Sequence, residues 1–367
     1  RAPEHACEGV QEMNGIREWR YSVSRRHEAA FLWSSVRRSV EQFDRLRATE
    51  PLDAVIVHQA LAGLGPILTR RHAASRWIYL CHSHAHEEYD TRNTSTQSAI
   101  ASLRRHANLR ARRSVEGAVM SRCHRVVVLS QFMRQRVMAA HGISSTRIGL
   151  IPGAVDPELF KPAVQRHAAR ATLNLPNDRT ILFTVRNLVP RMGLENLLSA
   201  FEMLIPAQPR LMLVIGGEGP LGAQLQEVIR QKKLHEIVRL VGFVPESQLN
   251  NYYQASDLVV MPSLQLEGFG LVMVEALACG TPVLGTPVGA IPEVLNQVDP
   301  ILVAQGTDGR SIAQALERVL RRLLDSGEAA RLVQKGRSLV ERRYNWTQHC
   351  SELARMLDST MSARLAA

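Results

Sequence analysis

The chain has 367 residues, 45% of them hydrophobic and 22% charged, which is ordinary for a globular protein and too long for one core, so two domains of roughly 150–200 residues are expected. The formal charge is +11, and the longest apolar run, 54–68, is broken by His58, Gln59 and two glycines. It falls short of the roughly 18–20 residues a spanning helix needs, so neither a transmembrane helix nor a signal peptide is read.

No unit of strand, glycine-rich loop and helix is read ahead of a helix at 28–46. That helix is amphipathic, with Leu32, Val36, Val40, Phe43 and Leu46 at helical spacing. Buried strands are read at 54–57, 77–81, 125–129 and 148–151. After the second come His82, His84 and His86, a His-x-His-x-His run that invites a metal reading. A helix-forming stretch then carries Arg104, Arg105, Arg110, Arg112 and Arg113. Residues 1–165 hold 24 Lys and Arg against 15 Asp and Glu, whereas the remainder hold 21 against 19. The basic character therefore belongs to the first half. Such a surface attracts phosphorylated substrates, anionic headgroups or nucleic acid, although any one cluster reads equally well as a solvated helix face. Pro152, Gly153, Pro157 and Pro162 interrupt the pattern, which places a domain boundary near 162–170.

The second half alternates regularly. Strands are read at 181–185, 211–215, 238–244, 258–261 and 283–285, and helices at 193–204, 221–233, 246–255, 269–278 and 291–295. The strands are continuous apolar runs, which suits burial on both faces. Strand and helix alternation at this spacing predicts an α/β domain, a doubly wound parallel sheet whose ligand sits beyond the carboxyl ends of its strands. The five cysteines, Cys7, Cys81, Cys123, Cys279 and Cys350, are scattered and odd in number. They argue against a disulfide framework or a cysteine zinc site and fit a reducing, cytoplasmic compartment.

Three motifs fall at strand ends of this second domain. The stretch from Ser263 to Ala276 leaves a strand and enters a helix, with Gly268 and Gly270 allowing a tight turn. The first helical turn presents unpaired amides and the positive end of the dipole, which is a pyrophosphate site. Glu267 precedes that turn and Glu275 lies about one turn beyond Leu271, where a carboxylate could hold ribose hydroxyls. Taken alone, the same stretch is a helix start with one exposed and one paired carboxylate. Arg186 and Arg191 follow the first strand and could clamp phosphate, or be two solvated arginines. Gly216, Gly217 and Gly219 make a third turn at the same edge.

These motifs, with Val-Leu-Ser at 128–130, Ile-Pro-Gly-Ala-Val-Asp at 151–156 and Val-Gly-Phe-Val at 241–244, occur in an order that resembles glycosyltransferase family 4 along residues 50–350. The spacing Glu267-x7-Glu275 is the family's hallmark. The resemblance implies the GT-B architecture of retaining enzymes, α/β, with two facing Rossmann-like domains and a cleft between them. Residues 1–165 would form the acceptor side and 166–345 the donor side, with a C-terminal helix at about 346–367 packing back on the first domain. The same resemblance assigns Arg186 to the donor pyrophosphate, Glu267 to the sugar near the reacting carbon, and His82 to the active site from the first domain. Glu275 would hold the ribose, and Phe243 and Val244 the base. Arg191, Gly217, Gly268, Phe269, Gly270 and Leu271 complete the implied donor site. No cofactor and no metal are implied. By the same resemblance the donor would be a nucleoside-diphosphate sugar and the acceptor a sugar or lipid-linked hydroxyl in polysaccharide or glycolipid synthesis, and no nucleic-acid partner is expected. A peripheral seat at the inner face of an anionic membrane would use the basic half.

Two departures keep other readings open. Met192 stands where the family often has a lysine, so Arg191 would take over its charge. The first domain also reads as lacking its opening strand, loop and helix. A nucleotide-sugar-binding protein with little transferase activity is thus an alternative, and a GT-B nucleotide-sugar epimerase is another, against which the two-glutamate spacing argues.

Overall fold

The computed structural model describes residues 9–24, 26–92 and 98–365; Cys7 lies outside the described residues. The chain divides into two compact units, one comprising Arg1–Leu129, Arg134–Leu150 and Ala354–Ala367, the other Ser130–Met133 and Ile151–Leu353.

The first unit begins with an antiparallel hairpin, β1 (Gly9–Met13) and β2 (Ile16–Arg20). Asn14 and Gly15 turn it with φ of 53° and 75°, the pair of left-handed residues that a two-residue hairpin needs. Helix α1 (Glu28–Thr49) follows, capped by the His27 ring. Then come β3 (Leu52–Val57), α2 (Ala60–Thr69), β4 (Ala74–Cys81), α3 (Ala85–Arg92), α4 (Ala99–Arg122), β5 (Arg125–Val128), α5 (Gln131–His141) and β6 (Ile148–Leu150). The sheet runs β3-β4-β5-β6 and all pairs are parallel. Its centre is apolar on both faces: Trp77, Ile78, Val126, Val127 and Val128 are fully buried. The expected apolar stripe of α1 is only half realised. Leu32 is exposed, while Ser35 and Ser39 are the buried positions. Helix α2 comes close to α1 at Val36 and Val40, since a Cβ on Gly65 would stand 2.7 Å from the Val36 carbonyl oxygen and 2.6 Å from Val40 Cγ2.

The second unit contains α6 (Arg166–Thr172), β7 (Thr180–Val185), α7 (Leu194–Leu204), β8 (Leu211–Gly216), α8 (Gly222–Gln231), β9 (Val238–Gly242) and α9 (Glu246–Ala255). It continues with β10 (Leu258–Met261), α10 (Leu271–Ala278), β11 (Val283–Gly285), α11 (Ile291–Val298), α12 (Gly309–Leu323) and α13 (Ser326–Arg343). The sheet order is β11-β10-β7-β8-β9, parallel throughout. Every residue of β8 and β10 is buried, as continuous apolar strands require. The last helix, α14 (Trp346–Leu365), contributes Ala354 onward to the first unit, where the Leu357 carbonyl accepts from Arg76 at 2.5 Å.

Three boundaries differ from expectation. The strand read over 238–244 stops at Gly242, whose φ of 71° turns the backbone out of the ladder, beside a register shift at Ile215/Gly216. The helix read from 269 starts at Leu271, because Gly270 is left-handed at φ 85° and serves as the cap. The units divide after Leu150, earlier than 162–170. The Val155 amide donates to the Tyr344 carbonyl at 2.9 Å and Phe160 packs on Tyr253, so 151–165 belong with the second unit. Cys81, Cys123, Cys279 and Cys350 are all free thiols. Among the described residues, no helix is long and apolar enough to cross a membrane.

Candidate active site

The carboxyl ends of β7, β8, β10 and β11 converge, and backbone contacts lace their turns together. The Arg186 amide donates to the Gly216 carbonyl at 3.0 Å, and the Leu188 amide to the Glu218 carbonyl at 2.9 Å. Gly217 has φ 124°, and a Cβ there would lie 1.8 Å from the Arg186 carbonyl oxygen. Only glycine allows the turn after β8 to press against the turn after β7. On the other side, the Leu264 amide donates to the Arg191 carbonyl at 2.8 Å, and the Ala290 amide to the Glu267 carbonyl at 2.9 Å. Leu266, at φ 55°, adopts a conformation that costs a non-glycine residue about 1–3 kcal/mol and persists only where its surroundings enforce it.

That scaffold holds a buried polar trio. Arg186 donates from Nη2 to Glu267 Oε2 at 2.8 Å and to Ser263 Oγ at 2.8 Å, and Ser263 Oγ donates to Glu267 Oε2 at 2.9 Å. Arg186 and Glu267 are each 8% exposed. Arg186 is therefore not a lone phosphate clamp: its charge is matched by Glu267. Its Nε remains a buried donor without a partner, which is the kind of orphan an incoming phosphate or sugar oxygen would satisfy.

Next to the trio, Gly268 and Gly270 lead into α10, whose first two amides, on Leu271 and Val272, have no acceptor within the helix, while the Met273 amide donates to the Gly270 carbonyl at 2.9 Å. Leu271, its first residue, is exposed. Glu275, one turn further, accepts from the Tyr253 hydroxyl at 2.7 Å. Burial raises the pKa of its carboxyl above the ordinary value, against the lowering effect of that hydrogen bond. A group with a raised folded pKa contributes most below its unfolded pKa and loses that contribution as pH rises through the folded value. Glu275→Gln is accordingly expected to raise the melting temperature at pH 7.5 relative to wild type, with the difference vanishing near pH 4. Paired thermal-denaturation scans at the two pH values check this.

The remaining expected donor residues separate by environment. Phe243 is exposed beyond the end of β9, whereas Val244 is buried. The Phe269 side chain is buried, with its ring edge-on to Tyr344 at 5.5 Å, so it packs the core and leaves only backbone for a ligand. Arg191 lies over the loop, Nη1 3.4 Å from the Leu266 carbonyl oxygen. Met192 is buried.

In the first unit, His82 follows β4 and is exposed. Its Nε2 lies 2.9 Å from Nδ1 of His58 at the end of β3, and the two rings stack at 5.2 Å. The sequence reading missed Ser263 and Tyr253, which contact the expected donor residues, and His58, which contacts His82 within the first unit. Ser263 could have been found, since it opens the strand-end stretch four residues ahead of Glu267. Tyr253 and His58 reach their partners only through the fold.

The fold and this strand-end site define a protein of the GT-B glycosyltransferase class. A model described as glycosyl transferases group 1 matches residues 165–339, and one described as glycosyltransferase family 4 matches residues 2–159. The chain belongs to glycosyltransferase family 4. It is 36% identical over 214 residues to the D-inositol 3-phosphate glycosyltransferase of Mycolicibacterium smegmatis, covering 56% of this chain and 48% of that protein. It is 33% identical over 186 residues to the enzyme of that name from Kineococcus radiotolerans, covering 48% of this chain and 42% of that one. The chain thus spans about half the length of the curated relatives it matches. Among solved structures, sucrose-phosphate synthase from Thermosynechococcus elongatus superposes with a TM-score of 0.79 at 24% identity, over 98% of this chain and 87% of that one. Anabaena HepE in complex with UDP gives 0.72 at 17%, over 91% and 84%.

Proposed function

We propose that the chain is a retaining glycosyltransferase that moves a sugar from a nucleoside diphosphate to an acceptor hydroxyl. The observation that carries this reading is the buried trio of Arg186, Ser263 and Glu267, set against the open amides of α10. The leaving diphosphate gains charge in the transition state. The α10 amides, Arg191 and the unpartnered Nε of Arg186 stabilise that charge in a low-dielectric pocket, with no metal required. Glu267, held by Arg186 and Ser263, meets the donor sugar and keeps it aligned, and Glu275 takes the ribose with Tyr253 fixing its carboxylate. His82, positioned by His58, acts from the first unit. Retention, implied by the family resemblance, would then run by a front-side route in place of the covalent glycosyl-enzyme of retaining glycosidases.

UDP is the first nucleotide to test, because HepE is described in complex with UDP and with UDP-glucose, and ADP the second, because starch synthase IV of Arabidopsis thaliana is described bound to ADP. The basic first half favours an acceptor that carries phosphate, free or lipid-linked, at an anionic membrane surface. Relatives named for inositol 3-phosphate agree with that charge. A thermal-shift panel of UDP, GDP and ADP with their common sugars, followed by a transfer assay, tests the reading. One matched nucleotide is expected to raise the melting temperature, and Arg191→Ala is expected to weaken it about tenfold, the worth of one charge-assisted contact. Tight nucleotide binding without turnover would instead favour a binding protein.

A further inference from the structure

The loop after β4, the start of α3 and the end of α5 gather three imidazoles. His84, His86 and His141 each offer a ring nitrogen, and these atoms lie within 4.8 Å of one another. His84 is 2% exposed, and neither of its ring nitrogens makes a hydrogen bond, the nearest carboxylate oxygen, on Glu87, standing 3.4 Å away. His141 Nε2 is also buried without a hydrogen-bond partner. Buried polar atoms are nearly always paired, so two rings left open toward one point call for an occupant.

The surroundings say what kind. Glu116, 1% exposed, accepts from the Ala85 amide at 2.6 Å and from His86 Nδ1 at 2.6 Å. With Nδ1 donating to a carboxylate, His86 keeps its lone pair on Nε2. That is the arrangement by which a buried carboxylate orients a histidine toward a metal. Glu116 also stands 3.9 Å from His141 Nε2. Imidazole donors favour zinc, copper or nickel over magnesium or calcium, which take oxygen. Zinc–nitrogen bonds of about 2.0–2.1 Å set three such nitrogens roughly 3.3 Å apart, a contraction that ring rotation supplies.

We propose that His84, His86 and His141 bind one divalent transition-metal ion of the zinc class, with Glu116 orienting His86. The ion ties the loop after β4 and the start of α3 to the end of α5 within the first unit, and α4 joins through Glu116. Because His84 and His86 follow His82 by two and four residues, it also pins the turn that carries His82. The ion is a positioning element and takes no part in donor chemistry.

Untagged full-length protein, stripped with a chelator and dialysed against zinc, is expected to retain one zinc per chain by elemental analysis. It should also melt at a higher temperature than the stripped form. Cobalt in place of zinc should give the visible absorption of a tetrahedral nitrogen site. His141→Gln is expected to lose the bound metal, and Glu116→Gln to weaken it about 10–100-fold. His235→Gln, in the second unit and exposed, should retain one equivalent. If His84→Gln fails to fold, His141→Gln and the cobalt spectrum still decide. A wild type that retains no zinc and shows no melting shift, or variants that all retain the metal equally, would overturn the site.

Discussion

Glu267→Gln is expected to lower sugar transfer by about 10²–10³-fold, the usual worth of one preorganised electrostatic group at a reacting centre, with UDP affinity within about threefold of wild type. The argument rests on what the substitution keeps. Glutamine retains the side-chain length and one oxygen, so it can still accept from Ser263 Oγ and Arg186 Nη2, which hold Glu267 Oε2 at 2.9 and 2.8 Å. The backbone is held independently, since the Ala290 amide donates to the Glu267 carbonyl at 2.9 Å and Gly289 closes over it. The charge is lost, and the Arg186 guanidinium is left buried without its counter-charge, so a fall in melting temperature is expected beside the loss of turnover. A change in turnover without a change in nucleotide affinity marks an interaction made mainly in the transition state. Donor-turnover kinetics and UDP calorimetry on the same preparation measure the two quantities. Wild-type turnover would remove Glu267 from the chemistry, and equal losses of turnover and affinity would make it a donor-binding group.

Much of the second unit was legible because its sequence obeys one rule throughout. Five apolar runs, four of them with a glycine or proline at or near one end, became five parallel strands, and the glycines at 217 and 270 marked turns that only glycine can make. The first unit was harder for identifiable reasons. The Asn14-Gly15 pair, a strong local signal for a hairpin, lies between strands whose apolar residues Val10, Met13 and Ile16 are exposed, so no buried face announced them. The spacing rule named Val36 and Val40, which do meet α2 where a Cβ on Gly65 would strike them, but it missed Ser35 and Ser39, the positions of α1 that are buried. At the site, the sequence offered Arg186 and Glu267 as separate roles. Their pairing across 81 residues is a product of the sheet order, which puts β7 beside β10 and which local spacing does not encode. The same holds for His141, which joins His84 and His86 only because α5 folds against α4.

The second large effect concerns that pairing. Arg186→Met is expected to destabilise the chain by about 3–5 kcal/mol, because it leaves the Glu267 charge buried with only a serine for company. For a unit of about 200 residues this corresponds to a fall of roughly 10 °C in melting temperature. The double variant Arg186→Met with Glu267→Leu removes both charges, and a buried pair replaced by apolar groups of similar size is often neutral in stability. The double variant is therefore expected to melt near wild type while remaining inactive, and the coupling energy of the cycle is read directly from four denaturation curves. Nucleotide affinity then separates the two duties of Arg186. If its unpartnered Nε reaches the donor phosphate, the stable double variant binds UDP at least tenfold more weakly than Glu267→Gln does. If affinity is equal in the two, Arg186 serves only to hold Glu267, and the diphosphate rests on Arg191 and the amides of α10.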